Sequence, residues 1–137
     1  MPVTSGSRTP TDSELLSLLQ AYIKTDAEAG TPEREAQEIA FDHVHWMVEE
    51  DAEATWRFLQ LACRADLTER HMGFVAAGVL EDLLAYHCQA IFDRLETAAR
   101  QDERMRLMLA MVWRGLMDDV AWEQVTSLRN RLSIEPL

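Results

Sequence analysis

No apolar run in this chain approaches the roughly 20 residues needed to cross a bilayer. The opening decapeptide, MPVTSGSRTP, has no apolar stretch of the kind that marks a secretory leader. A cytoplasmic protein that stays off membranes is therefore expected. Only two cysteines occur, Cys63 and Cys88, with no C-x-x-C spacing. That excludes a disulfide scaffold and a thiolate zinc site. The five glycines, at 6, 30, 73, 78 and 115, are scattered, so no phosphate-cradling loop is present. There is no Asn-Gly or Asp-Gly pair and no sustained apolar–polar alternation, which removes the usual signals of hairpins and strands. Lysine is nearly absent, with one against 12 arginines, the bias of a GC-rich bacterial genome. No basic stripe interleaved with aromatics exists to hold nucleic acid. Neither G-x-S-x-G nor H-E-x-x-H is found. No catalytic set, cofactor or metal is expected, and the chain does not read as an enzyme.

What is present is acid and helix. The 137 residues fit one domain, expected at 11–132, with a flexible lead at 1–10 and a short tail at 133–137. Apolar residues make up 47% and charged residues 27%, ordinary values for a folded soluble protein. The formal charge is −11 and unevenly placed: residues 1–55 carry 12 acids and 3 bases, and residues 56–137 carry 12 acids and 10 bases. Such a field repels nucleic acid and anionic lipid and attracts a basic protein.

Helical spacing recurs along the whole chain. Thr11 and Glu14 form a capping box ahead of Leu15, Leu16, Leu19, Tyr22 and Ile23, and Gly30 supplies a left-handed stop. Thr31 and Pro32 open a second helix, with Ala36, Ile39, Ala40, His43 and Met47 as its inward stripe. The acids 49–51 suit a helix start better than a helix end, so a break is placed near 50, with Asp51 capping a third helix to about 65. There Trp56, Leu59, Ala62 and Cys63 point inward, and RADLTER (64–70) reads as a connection. Helices over about 72–86 and 89–100 follow. Asp102 caps a sixth, with Met105, Met108, Leu109, Val112 and Trp113 inward and Gly115 as its stop. Asp118 or Asp119 starts a seventh through Trp122, Val125 and Leu128. The fold class is all-α: a compact bundle of six or seven short helices, with pairing in the style of antiparallel HEAT repeats as one form.

The segment AAGVLEDLLAYH (76–87) is a packing element. Either Gly78 lies inside one helix, where Ala76, Ala77 and Gly78 make a smooth face, or it divides two short helices and places Glu81 and Asp82 in a first turn. His87 stands where that helix would end. This segment, IFDRLETAARQD (91–102) and RLMLAMVW (106–113) resemble a family of small, uncharacterised bacterial helical proteins. Their shared features are A-G-x-L-E-D-L-L, then I-x-x-(I/L)-E-x-x-A-R-x-D, then a terminal V-W, with an upstream acidic segment similar to DAEATW (51–56). The resemblance spans about residues 40–125. Where such proteins often carry Pro after the Gly and Gly after the His, this chain has Val79 and Cys88. The family has no assigned activity; its small acidic members are similar to immunity proteins of toxin systems.

The candidate partner-binding residues are Glu35, Glu38, Asp42, Trp46, Glu49, Glu50, Asp51 and Glu53, on helix 2 and the junction after it. A carboxylate face of this kind suits a basic protein partner, such as a toxin whose cleft handles nucleic acid or nucleotides, and an exposed Trp46 would anchor it. The alternatives are a metal- or ligand-binding bundle using His43, His45 and nearby carboxylates, and a structural or oligomeric helical module. His43 and His45 lie about 200° apart around a helix and do not share an ion easily, whereas His45 and Glu49 are one turn apart. Arg100, Arg104 and Arg106 are expected to pair at the surface with Asp102 and Glu103.

Overall fold

Each helix start is written into the chain as a side-chain cap. In a computed structural model, which describes residues 8–137, Thr11 Oγ1 accepts the Glu14 N–H at 3.1 Å, and Glu14 Oε1 accepts the Thr11 N–H at 2.8 Å. This reciprocal pair opens α1 (Asp12–Tyr22). Thr31 caps α2 (Pro32–Glu50), with proline in the first turn. Asp51 caps α3 (Ala52–Arg64), accepting from Ala54 N at 3.1 Å. Thr68 caps α4 (Glu69–Val75), which runs through a π-helical segment (Ala76–Leu80) into α5 (Glu81–Gln101). Asp102 and Asp118 cap α6 (Glu103–Met111) and α7 (Asp119–Arg131). The described residues are all-α in six helical runs, with no strand among them. The lead expected at 1–10 falls largely on residues 1–7, outside the described residues.

The helices gather into two units, one ending at Ala65 and one beginning at Asp66. In the first, α1, α2 and α3 each pack on the other two. Leu15, Leu19 and Tyr22 of α1, Ala40, Val44, Met47 and Val48 of α2, and Phe58, Leu59 and Ala62 of α3 are buried. Tyr22 stacks on Phe41 at 5.7 Å and meets Phe58 edge-on at 6.1 Å. The α2–α3 turn is fixed by Thr55, whose buried hydroxyl reaches Met47 O (3.0 Å) and Asp51 O (2.8 Å). Arg57 ties α3 back to the start of α1 through Pro10 O at 2.8 Å and Asp12 at 2.6 Å.

Two expectations for this unit are corrected. Gly30 does adopt a left-handed conformation (φ +84°), but α1 has already ended at Tyr22. Gly30 instead turns the chain into the Thr31 cap. The inward stripe of α2 is also rotated: Ala40 and Met47 are buried as expected, but their companions are Val44 and Val48, while Ala36, Ile39 and His43 are exposed.

In the second unit, α5 packs on the π segment, α6 and α7, and α6 also packs on α4 and the π segment. Val75, Val79, Leu80, Leu83, Leu84, Ile91 and Leu95 are buried, with Met105, Met108 and Leu109 filling in from α6. Gly78 therefore lies inside one continuous helical run, in its wide π turn, where one extra residue is accommodated. His87 leaves helical geometry, at φ −137° and ψ 30°, and divides α5 into two helical stretches, as expected for a helix ending there and another beginning near 89.

α6 stops at Met111, before the expected Gly115, and Val112 is extended. Trp113 is consequently 65% exposed rather than inward. The carbonyls left open at this end are taken by Arg129, only 5% exposed, which donates to Leu109 O (3.0 and 2.8 Å) and to Val112 O. Its guanidinium also lies 5.4 Å from the Trp122 ring centroid. The tail returns to the same place, with Leu137 N donating to Ala110 O at 2.8 Å.

Candidate protein-docking face

α2 has 19 residues, about 28 Å of helix at 1.5 Å per residue. It holds six acids, Glu33, Glu35, Glu38, Asp42, Glu49 and Glu50, against one arginine. Spacing of 3.6 residues puts Ala40, Val44, Met47 and Val48 on one side, and these are the buried residues. The same spacing puts Glu35, Glu38, Asp42 and Glu49 in a row along the other side. Glu35, Glu38, Asp42, Glu50 and, at the start of α3, Glu53 are exposed; Glu49 and Asp51 are half-buried. All eight predicted residues thus lie in the first unit, on α2 or at its junction with α3.

They are not equally available to a partner. Asp51 is committed to the α3 cap. Glu38 receives Arg34 at 3.4 Å, and Arg34 also bonds Ala27 O at 2.7 Å. Glu49 lies 3.2 Å from His45 Nε2, one turn back. Glu35, Asp42 and Glu50 have no ion-pair partner among the described residues. Exposed pairs such as Arg34–Glu38 contribute under about 1 kcal/mol, so they exchange readily for a better cation.

Large apolar side chains break the surface of the same helix. Ile39 is 63% exposed and Trp46 42% exposed, with His43 between them, its ring 6.2 Å from that of Trp46. Desolvation lowers the His43 pKa below its usual 6.5. Phe41, though 48% exposed, belongs to a different side of the helix, where it stacks on Tyr22. Trp46 is thus exposed, and Ile39, expected inward, is exposed as well.

The histidines do not converge. His45 meets Glu49 while His43 turns toward Trp46, and no group of three or more His, Cys, Asp or Glu side chains is placed to hold an ion among the described residues.

The second unit contains chemistry of a different kind. At the α5 kink a shallow cavity of about 320 Å³ is lined by residues 84–90 together with Asp118, Val120 and Ala121. Cys88 lies in it, its thiol 3.3 Å from Gln124 Oε1, and burial together with the Asp118 charge raises the thiol pKa. A thiol held protonated is the opposite of an activated nucleophile. Nearby, Glu81 Oε2 accepts the Trp113 N–H at 3.0 Å, and burial raises the Glu81 pKa. Of the arginines expected to make surface pairs, Arg100 does so, with Glu96 at 2.8 Å, while Arg106 takes Ala99 O at 2.8 Å and Arg104 reaches Leu67 O at 3.3 Å. Arg106 and Arg104 thus serve backbone carbonyls. No helix among the described residues is long and apolar enough to cross a membrane.

No curated protein and no solved structure matches the chain. Residues 27–133 match the model of a family of unknown function (DUF6869), a span that includes all of α2 and runs to the end of α7, and the chain belongs to that family.

Proposed function

We propose that this protein is a protein-binding module of the immunity or antitoxin type, acting inside the cell by covering a basic surface of a partner toxin rather than by catalysis. The observation that supports this reading is the outward acid row of α2, where Glu35 and Asp42 are exposed and without ion-pair partners among the described residues, as is Glu50 at the end of the helix. A surface of this kind draws a cationic partner from a distance and repels nucleic acid. The cationic cleft of an enzyme that handles nucleic acid has the complementary field. Covering such a cleft would block the enzyme without any chemistry by the binder.

The test pairs this chain with the proteins encoded beside its gene. One of them is expected to form a stable complex and to lose its toxicity on co-expression. Association should slow at least tenfold when Glu35, Asp42 and Glu50 are changed together to lysine, and its dependence on salt should flatten. Asp51 is left intact because its change would uncap α3. Association rates by stopped flow from low to high salt provide the readout. An unchanged rate and salt slope in the charge-reversed variant would remove this face as the docking site.

A further inference from the structure

α2 carries two apolar stripes where a helix at the surface of a folded unit needs one. The first, Ala40–Val44–Met47–Val48, is spent on the core. The second, Ile39–His43–Trp46, follows the i, i+4, i+7 spacing with which a helix anchors itself in a groove. It spans about 10 Å along the axis. On its outer side runs the row Glu35, Glu38, Asp42 and Glu49. Ile39 and Trp46 lie open to solvent at 63% and 42%, and the His43 ring between them lies 6.2 Å from that of Trp46.

We infer that α2 is itself the inserted element, and that its occupant is an apolar groove on a partner protein edged by lysine or arginine, with Ile39 and Trp46 as the buried anchors. This rests on the docking reading given above and adds to it the mode of contact. Charge complementarity selects the partner. The only cation on α2, Arg34, is already held by Glu38 and Ala27 O, so the rim presents negative charge alone. A second copy of this chain would set two acid rows against each other, and anionic lipid would meet the same repulsion. An apolar groove with a basic edge satisfies both the stripe and the row beside it. Aromatic anchors of this size commonly dominate the affinity of such contacts.

The experiment uses the full chain and a fluorescein-labelled helical-hairpin peptide whose two helices form a leucine-lined groove edged by lysines. Two controls replace its lysines by glutamate or its leucines by alanine. Affinity is read by fluorescence anisotropy. Ile39→Gln with Trp46→Gln is expected to weaken binding at least tenfold while leaving the helical circular dichroism unchanged. Trp113→Gln, which alters a still more exposed tryptophan elsewhere, is expected to leave affinity as it was. Binding that survives the Ile39 and Trp46 changes but weakens when Glu35 and Asp42 become Gln and Asn would overturn insertion and leave the acidic docking reading standing. If instead the glutamate peptide binds as tightly as the lysine peptide, the acidic reading itself fails and takes the basic-edged groove with it. No binding of the leucine–lysine peptide at all, or self-association of the chain that disappears in the double variant, also overturns the proposal.

Discussion

Replacing Gly115 by alanine is expected to open a hydrogen bond made by two other residues. Gly115 sits at φ +51°, where a Cβ costs about 1–2 kcal/mol. A Cβ there would also overlap Glu81 Oε1 and stand 3.0 Å from the Glu81 Cδ. The end of a glutamate side chain moves easily, so the overlap itself is relieved cheaply. But this carboxylate accepts the Trp113 N–H at 3.0 Å, and swinging it aside gives up that bond. In a partly exposed setting the bond is worth about 1 kcal/mol. Gly115→Ala should therefore destabilise the second unit by about 2–3 kcal/mol, of which about 1 depends on Glu81. In a Glu81→Ala background only the backbone strain remains. A double-mutant cycle by urea denaturation should return a coupling of about 1 kcal/mol. Hydrogen exchange at the Trp113 amide, which should speed about fivefold in Gly115→Ala, reports the same event locally. Equal costs for Gly115→Ala in both backgrounds, with Trp113 protection unmoved, would show that Glu81 does not hold this loop.

Two further outcomes follow from buried and from exposed charge. Arg129→Met leaves the Leu109 and Val112 carbonyls without their donor and should lower stability by about 2–4 kcal/mol in urea melts, with Arg129→Lys falling between it and the wild type; a neutral Arg129→Met would mean that these carbonyls find water instead. Glu14 is held down to about 2 by the Arg8 guanidinium, with the Thr11 N–H adding to it, so its stabilising effect is present above its ordinary 4.5 and is lost as pH falls toward 2. Glu14→Gln should remove that part of the acid-side slope in a stability-against-pH profile, and an unchanged slope would refute the pairing.

The caps were legible because they are local chemistry. A Thr or Asp followed within three residues by an amide it can reach identifies itself, and Thr11, Thr31, Asp51, Asp102 and Asp118 all start helices as read. Thr68 was missed because α4 has only seven residues before the backbone widens, too short to show a repeat. The rotation of α2 was not legible for a different reason. Its sequence satisfies helical spacing twice, through Ile39–His43 and through Val44–Val48, and periodicity alone cannot say which set meets α1 and α3. The end of α6 depended on Arg129, twenty residues beyond Leu109 in the chain, so Trp113 continued the apolar stripe on paper while the folded helix stopped short of it. The acid row needed no such distant partner to be seen: a run of carboxylates on a helix faces water unless something opposes it.

The proposed insertion of α2 would separate folding from binding within one helix. Ala40, Val44, Met47 and Val48 hold the first unit together, so substitutions there create cavities and lower stability by about 2–5 kcal/mol for a large-to-Ala change. Ile39 and Trp46 contribute little of that burial. Glutamine has a better helix propensity than isoleucine or tryptophan, so exchanging them should leave the helix as stable or slightly more so. An exposed tryptophan and an exposed isoleucine two turns apart are therefore not explained by the fold of this unit. Beside the acid row, they are the residues on which the proposed contact rests. Loss of binding without loss of stability at these two positions, against loss of stability in the buried row, is the separation this helix geometry requires.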